Sequence, residues 1–351
     1  MTTLSLFDYC PSREQALAIT TKDVARKAGV SSITVSRTLS GTHTVAEKTR
    51  QKVLKAADEM GYVPNLLARG LVQRRSPVIG LIVKDLANLF YSAFIEELQA
   101  AVQQQEHMLI VSQSHSEVGT ESTQIDQFRQ LQVAGVLIDA VDSDASHLRV
   151  LKKSGMPFVT IFGRWEEGDY LAMDDFGAGQ IAGQHLLDLG HRHLGWLMPG
   201  QDSLGLGIRC RRQGYEAALE ERGLQPEWSM TTKFVEVREG LRAAEVFLEQ
   251  KNKVSAVFVG VDRVALGFMH GLRQGGVRVP EDVAVVGYGD THQGDFFGSL
   301  LTTVALPKRE AGRRAAKMLF SRLGDKVADQ APQQVVLEPF LRIRKSCGAQ
   351  E

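Results

Sequence analysis

The chain has 351 residues, 41 Lys and Arg against 41 Asp and Glu, and 43% hydrophobic residues. That length is enough for two or three domains with a substantial core, and no apolar run reaches the length of a membrane span. Cys10, Cys210 and Cys347 lie far apart with no CxxC or Cys-His spacing, which speaks against a disulfide framework or a zinc site and fits a reducing compartment.

Residues 1–18 show neither a basic start nor the apolar run of a leader, so a poorly ordered extension and a cytoplasmic location are expected. From Ile19 to Tyr62 the pattern predicts three short helices. Thr20 is placed to cap the first, with Asp23 answering from three residues on. Gly29 ends it, since a sharp reversal needs a residue that tolerates positive φ, and Ser31 caps the second. At about 100° per residue, Ser32, Ile33, Ser36 and Arg37 share one arc of that second helix, while Val35, Thr38 and Leu39 share the opposite one. The first arc suits a major groove: Arg37 as a fork on guanine, Ile33 against a thymine methyl, the hydroxyls toward phosphate or base. Eleven Lys or Arg against four acids between Ile19 and Arg75 leave the remainder of a neutral chain acidic. Such segregation fits one module binding a polyanion, and disfavours a merely solvated helical hairpin.

The run K-D-V-A-x-x-A-G-V-S-x-x-T-V-S-R-x-L at residues 22–39, with T-R-x-x-V at 49–53 and G-Y-x-P-N at 61–65, resembles the lactose-repressor/galactose-repressor (LacI–GalR) family of bacterial transcription regulators. Ala46 departs from it, standing where the family usually has a Ser or Thr capping the third helix; Thr44 is the available substitute. The resemblance implies an α/β protein with an N-terminal helix-turn-helix head of three helices plus a hinge helix, followed by a periplasmic-binding-protein-like core of two doubly wound lobes. It places the DNA contacts at Thr20, Ser31, Ser32, Ile33, Thr34, Ser36, Arg37, Thr44, Thr49, Tyr62, Asn65 and Leu71.

Past Gly61, Pro64 and Pro77 bracket a stretch of about two helical turns, too short to be stable alone and weakened by Gly70. By resemblance it is a hinge helix that pairs with its copy in a dimer and wedges Leu71 into the minor groove; a flexible linker has the same composition. From Val78 apolar strands alternate with amphipathic helices. Strands are predicted at 78–83, 108–112, 135–138, 158–162, 170–173, 194–198, 233–235, 256–259 and 283–288. Helices are predicted at 91–105, 181–189, 211–221, 240–249, 264–274 and 307–323. Buried β-branched runs between helices mean parallel sheets covered on both faces, and nine strands fit two lobes better than one. The expected divisions are an extension at 1–18, the head at 19–64, a hinge or linker at 65–77, and an effector-binding and dimerisation domain at 78–351. Within the last, the first lobe takes about 78–165 plus part of 303–330, and the second about 166–302 plus the C-terminal strands.

Ligands in such folds sit at the carboxyl ends of strands. Asn88, Phe90 and Tyr91 match the family's D-x-x-N-P-F-F loop, where Leu89 replaces the proline; packing of the rings in the core is the competing explanation. Arg211 matches R-x-x-G-Y/F, and Asp262 matches N-D-x-x-A-x-G with Val261 in place of Asn. By resemblance Arg211 and Asp262 grip the effector as donor fork and acceptor, and Asp174 matches a cleft position. Val235 stands where sugar-responsive members often place a ring, which puts sugar stacking in doubt, while Arg164 and Arg209 near the cleft mouth would favour an anion such as a sugar acid.

Enzyme readings are weaker. Residues 177–182 fit G-x-G-x-x-A, but Asp174 and Asp175 place charge where a pyrophosphate would come, and small residues at a tight helix contact explain the run better. His191 and His193 have no accompanying ligands at metal spacing, and no G-x-S-x-G, HExxH or Walker sequence occurs. The expectation is therefore a transcriptional repressor without cofactor or metal. Its partners would be a near-palindromic operator, a small-molecule effector, and its own copy in a dimer or tetramer. A solute-binding protein or sugar-handling enzyme carrying a basic head is the alternative.

Overall fold

The computed structural model describes residues 19–40, 45–63, 76–142, 146–200, 206–250, 254–291, 301–323 and 330–349. The chain divides into two compact units, Met1–Ser76 and Pro77–Glu351.

The first unit contains α1 (Thr21–Ala28), α2 (Ser32–Ser40) and α3 (Glu47–Met60). Asp23 accepts both the amide (3.0 Å) and the hydroxyl (2.6 Å) of Thr20, so the cap forms with the hydroxyl as donor to the carboxylate. Gly29 follows α1 at φ 67°, in the left-handed region where only glycine is unstrained. Ser31 Oγ accepts the Thr34 amide at 3.1 Å and opens α2. Helix α3 starts without a side-chain cap at Ala46, as the departure at that position anticipates; Thr44 lies outside the described residues. Val24, Val35 and Val53 are fully buried and form the centre of this small core with Ala25, Ala56 and Ala57.

The second unit holds two six-stranded sheets. The first has the order β11-β5-β4-β3-β1-β2 and the second β12-β10-β9-β8-β6-β7. The first sheet is built from β1 (Val78–Val83), β2 (Met108–Gln113), β3 (Gly135–Ile138), β4 (Phe158–Ile161), β5 (Tyr170–Met173) and β11 (Gln334–Leu337). The second is built from β6 (Leu194–Pro199), β7 (Trp228–Thr232), β8 (Ala256–Val259), β9 (Ala284–Tyr288), β10 (Thr302–Ala305) and β12 (Phe340–Arg342). All pairings are parallel except β10 with β12. Central strands such as β1, β3, β8 and β9 are buried along their whole length, as parallel sheets covered on both faces require.

The intervening helices are α4 (Ser92–Gln104), α5 (Val118–Gln130), α6 (Ser146–Lys153), α7 (Asp175–Asp188), α8 (Leu206–Glu220), α9 (Val237–Glu249), α10 (Asp262–Gln274) and α11 (Lys308–Ser321). Helices α7 and α8 pack on each other, as do α9 with α10 and α4 with α11.

Four expectations change. The nine foreseen strands did not include β10 at Thr302–Ala305, a run of only four residues. The seventh strand is at Trp228–Thr232 and not at 233–235: it is an edge strand in which inward and outward residues alternate, so it lacks the apolar run by which the others were found. Helices α5 and α6 were not foreseen, because their apolar positions are few and, in α6, span only eight residues. The lobe boundary also moves. β5 pairs with β4, and β11 pairs with β5, so both belong to the first lobe, and only β12 of the C-terminal strands joins the second. The chain thus passes between lobes three times, after Met173, after Ala305 and after Leu337. Hydrophobic pattern identifies a strand but carries no information about which sheet accepts it.

Candidate functional site

In the first unit the α2 faces separate as the periodicity predicts. Val35 is 0% and Thr38 8% exposed, while Ile33 is 62% exposed and Ser32, Ser36 and Arg37 also face outward. The Thr38 hydroxyl donates to the Thr34 carbonyl within the helix at 2.8 Å, which satisfies the one polar group turned inward. Ser31, Thr34, Arg37 and Thr49 come together with Val30 and Val45 around one open depression. A shallow basin lined by two apolar side chains, three hydroxyls and a guanidinium can follow the edge of a polyanionic groove. Thr20 is engaged with Asp23, and Tyr62 packs half-buried on the head core. Thr44, Asn65, Leu71 and residues 64–75 of the expected hinge lie outside the described residues.

In the second unit the loops at the carboxyl ends of the two sheets meet. Arg263 of the second lobe donates to Asp85 of the first at 3.3 Å. The buried ammonium of Lys308, at the start of α11, donates to the Gly289 and Asp290 carbonyls at 2.9 and 2.7 Å and lies 5.8 Å from the Phe90 ring centroid. Burial draws this amine below its ordinary range.

Asn88 accepts the Phe90 amide at 3.1 Å and opens a single 3-10 turn, Leu89–Tyr91. That turn directs Phe90 and Tyr91 into a cluster with Phe162, whose ring centroid lies 4.9 Å from Phe90 and 5.9 Å from Tyr91. Phe162 has φ 60°, a left-handed conformation that is strained for an aromatic residue and that packing on the rings of Phe90, Tyr91 and Phe94 holds in place. Tyr91 is buried, and its hydroxyl donates to Asp139 at 2.5 Å, with Lys84 3.1 Å from the other carboxylate oxygen. Burial and the Asp139 charge push the Tyr91 phenol well above its ordinary range.

Across the cleft, Arg211 is 9% exposed. It donates through Nε to Asp175 at 2.8 Å and through Nη1 to the Gly260 carbonyl at 2.6 Å, and its guanidinium lies 3.5 Å from the Tyr288 ring centroid. Tyr288 donates its hydroxyl to the same Asp175 oxygen at 2.8 Å. Asp262, 1% exposed, accepts the Thr303 hydroxyl at 2.6 Å and the Thr291 amide at 2.9 Å. Asp174 caps α7 by accepting the Gly177 amide at 2.9 Å. The structure therefore gathers Phe90 and Tyr91 on one side and Arg211 with Asp174 on the other, with every carboxylate among them bonded to its own chain.

Several residues at this cleft escaped sequence reasoning as site residues: Lys84, Asp139, Phe162, Asp175 and Tyr288. Each stands at the carboxyl end of a strand or within two residues of one, which is the signal that could have found them. Phe234, half exposed, offers a ring one position before the Val235 at which its absence was noted.

The glycine run at 177–182 is a packing device. A Cβ on Gly179 would stand 1.9 Å from the Arg211 carbonyl oxygen, and one on Gly214 1.9 Å from that of Phe176, so α7 and α8 touch backbone to backbone. His191 bonds Ser255, and His193 pairs with Glu227. Among the described residues no cluster of side chains could hold a metal ion, and no helix is long and apolar enough to cross a membrane.

Comparison with known proteins bears on both units. Residues 20–65 match the family described as bacterial regulatory proteins, lacI family, and residues 76–341 match periplasmic binding proteins and sugar binding domain of LacI family. The HTH-type transcriptional repressor PurR of Yersinia enterocolitica is 33% identical over 333 residues, 93% of this chain and 96% of its own. A crystal structure of the lac repressor dimer bound to operator and the anti-inducer ONPF superposes with a TM-score of 0.83 at 26% identity, over 93% of this chain and 98% of that one. A complex of the transcriptional regulator CelR with cellobiose gives a TM-score of 0.68 at 29% identity, over 93% and 99%.

Proposed function

The chain belongs to the LacI family of bacterial regulatory proteins and is a DNA-binding transcriptional regulator, not an enzyme, and from that premise we propose a repressor of carbon-source metabolism genes controlled by a metabolite in the inter-lobe cleft. The observation that carries the DNA half is the outward face of α2, where Ser32, Ile33, Ser36 and Arg37 are exposed over an apolar underside. Arg37 takes the guanine-reading role, Ile33 meets a thymine methyl, and Ser31, Ser32, Thr34, Ser36 and Thr49 supply phosphate and base contacts. Thr20, Thr44, Tyr62 and Asn65 position the head on the backbone, and Leu71 is the minor-groove wedge of a hinge that orders in the complex.

A homodimer meets two half-sites of a near-palindromic operator through a pair of such helices, so the operator's symmetry mirrors that of the protein. Asn88, Phe90, Tyr91, Asp174, Arg211 and Asp262 form the effector site. Their bonds within the chain hold the groups in place before a ligand arrives, and a ligand that prefers one lobe angle shifts the population of that state. Lac repressor and CelR, with their bound small molecules, support this reading by likeness.

Selection of operator sequences from a random duplex pool, followed by anisotropy titration with and without sugars and sugar acids, tests it. The expected result is a two-fold symmetric consensus whose affinity changes with at least one metabolite. A pool that enriches no symmetric sequence would end the proposal.

A further inference from the structure

Two cationic side chains reach from one lobe to the other, and they differ in what surrounds them. Lys308, in the first turn of α11 in the first lobe, is buried and donates its ammonium to the Gly289 and Asp290 carbonyls of the second. A Cβ on Gly289 would lie 3.8 Å from the Phe90 ring and 4.0 Å from the Asp262 carboxylate, so residues of both lobes already meet beside this buried tie. Arg263, the second residue of α10, instead donates Nη1 to Asp85 Oδ2 at 3.3 Å, and the two side chains are 35% and 44% exposed.

The segments on either side hold this exposed pair in place. Asp85 Oδ1 accepts the Ala87 amide at 2.9 Å, and the Leu86 amide donates to Gln113 at 3.1 Å, so the loop after β1 is fastened to its own lobe and leaves Oδ2 for the other. The same loop carries Asn88, Phe90 and Tyr91, and Arg263 directly follows Asp262. Exposed arginines on other helices of this unit pair one turn away, as Arg129 does with Asp126, Arg242 with Glu239 and Arg314 with Glu310. On α10, Leu266 and Gly267 stand where such a partner would be, and the helix dipole opposes a cation in a first turn. The adjacent charges are engaged within their own lobes: Lys84 pairs with Asp139 at 3.1 Å, and Asp262 accepts from Thr303 and Thr291. What answers Arg263 is therefore a carboxylate 178 positions away on the facing lobe.

Resting on the assignment of the cleft as the effector site, we propose that Asp85 and Arg263 are positioning residues that form a salt-sensitive latch across the cleft. The ion pair sets how far the lobes close, the buried Lys308 tie stays in place as they part, and the lobe angle is read out as operator affinity. An exposed pair shifts such an equilibrium by about two- to fivefold. That tunes a closure which a ligand then completes, without holding the lobes shut by itself.

The test reads the distance between spin labels on Gln127→Cys in α5 and Glu245→Cys in α9, both exposed positions, in the full chain with Cys10→Ser and Cys210→Ser and with the buried Cys347 retained. Labelled chain is diluted into excess unlabelled chain, so that each distance belongs to one molecule. Asp85→Arg and Arg263→Asp are each expected to enlarge the long-distance population about twofold or more, and the double variant, which restores the pair with its charges exchanged, to return it. Raising salt from about 0.05 M to about 0.5 M should lengthen the distance in the wild type and the exchanged pair, and shorten it in the single variants, where like charges face each other. A change of packing has no reason to reverse its sign with salt. Both side chains are partly solvated, so melting temperatures should match the wild type and separate a moved lobe from a lost fold. Single reversals that leave the distances unchanged, no return in the exchanged pair, or a salt effect of one sign throughout would each overturn the latch. Affinity for the selected symmetric duplex, read by anisotropy, should change about two- to fivefold in one direction in both single variants and return in the exchanged pair. Distances that move while affinity stays would overturn the regulatory half of the proposal. A pool that enriches no operator fails the reading of the head, and the distances still decide the latch.

Discussion

The helix proposed to read DNA and the cleft proposed to hold the effector present their polar groups in opposite ways. On α2, Ser32, Ser36 and Arg37 face outward above a core of three fully buried valines. In the cleft, Arg211, Asp175, Tyr288 and Asp262 are buried and bonded to one another or to their own chain. A group on an exposed helix stays hydrated whatever its neighbours, whereas a buried one left unpaired costs about 1–3 kcal/mol. A reader of a large polymer can therefore display its contacts in advance. A cleft that closes on a small molecule must first satisfy the groups it will later offer, and that need produces the Asp175–Arg211–Tyr288 cluster.

If this contrast is right, cleft substitutions should register as lost stability and head substitutions as lost affinity at unchanged stability. The largest effect is expected from Asp175→Ala, which strands a buried guanidinium and should destabilise the second unit by about 3–5 kcal/mol. Trp165, Trp196 and Trp228, the three tryptophans of the chain, all lie in that unit, so denaturation followed by tryptophan fluorescence reports it selectively. Next comes Gly214→Ala, whose methyl would meet the Phe176 carbonyl at 1.9 Å. Separating α7 from α8 should cost about 1–3 kcal/mol by the same measurement, and a neutral result would show that the helices can part freely.

Arg37→Ala should reduce operator affinity by about 1–3 kcal/mol, leave binding to random duplex at low salt far less affected, and leave the tryptophan melt unaltered. Equal losses on both duplexes would make Arg37 a phosphate contact and break the comparison at its DNA end. The smallest effect concerns an exposed pair. Arg278 bonds Asp282 through two nitrogens and lowers its carboxyl from 3.8 to about 2. A depressed carboxyl pKa contributes stability above its ordinary value and loses it as pH falls toward the folded one. Arg278→Gln should thus melt slightly below wild type near neutral pH, and the difference should vanish on approaching pH 2. A difference of the same size at both ends would assign the effect to packing.

The helix boundaries and faces of the described head were legible in the sequence. Thr20, Gly29, Ser31 and the two arcs of α2 are local features, set by a turn of helix and by φ, and the structure places each as the spacing predicts. Ala46 was legible too, as a missing cap. The cleft was legible only in outline: Asn88, Phe90, Tyr91, Arg211 and Asp262 came from family resemblance, whereas Lys84 and Asp139 beside Tyr91, and Asp175 and Tyr288 beside Arg211, gave no signal beyond their place after strands. Edge strand β7 was misplaced because half its residues face water.

What the residues determined alone was everything with a short range: helix caps, apolar arcs, buried strand runs, and the concentration of positive charge at the amino-terminal end. Tertiary structure decided the sheet to which β5 and β11 belong, and the pairs that close the cleft. Asp175 and Tyr288 are 113 positions apart, and Asp85 and Arg263 178. Periodicity reports how a residue is oriented within its own element, but the meeting of two distant elements is settled by packing of whole layers, in which any single pair contributes too little to leave a pattern in the chain.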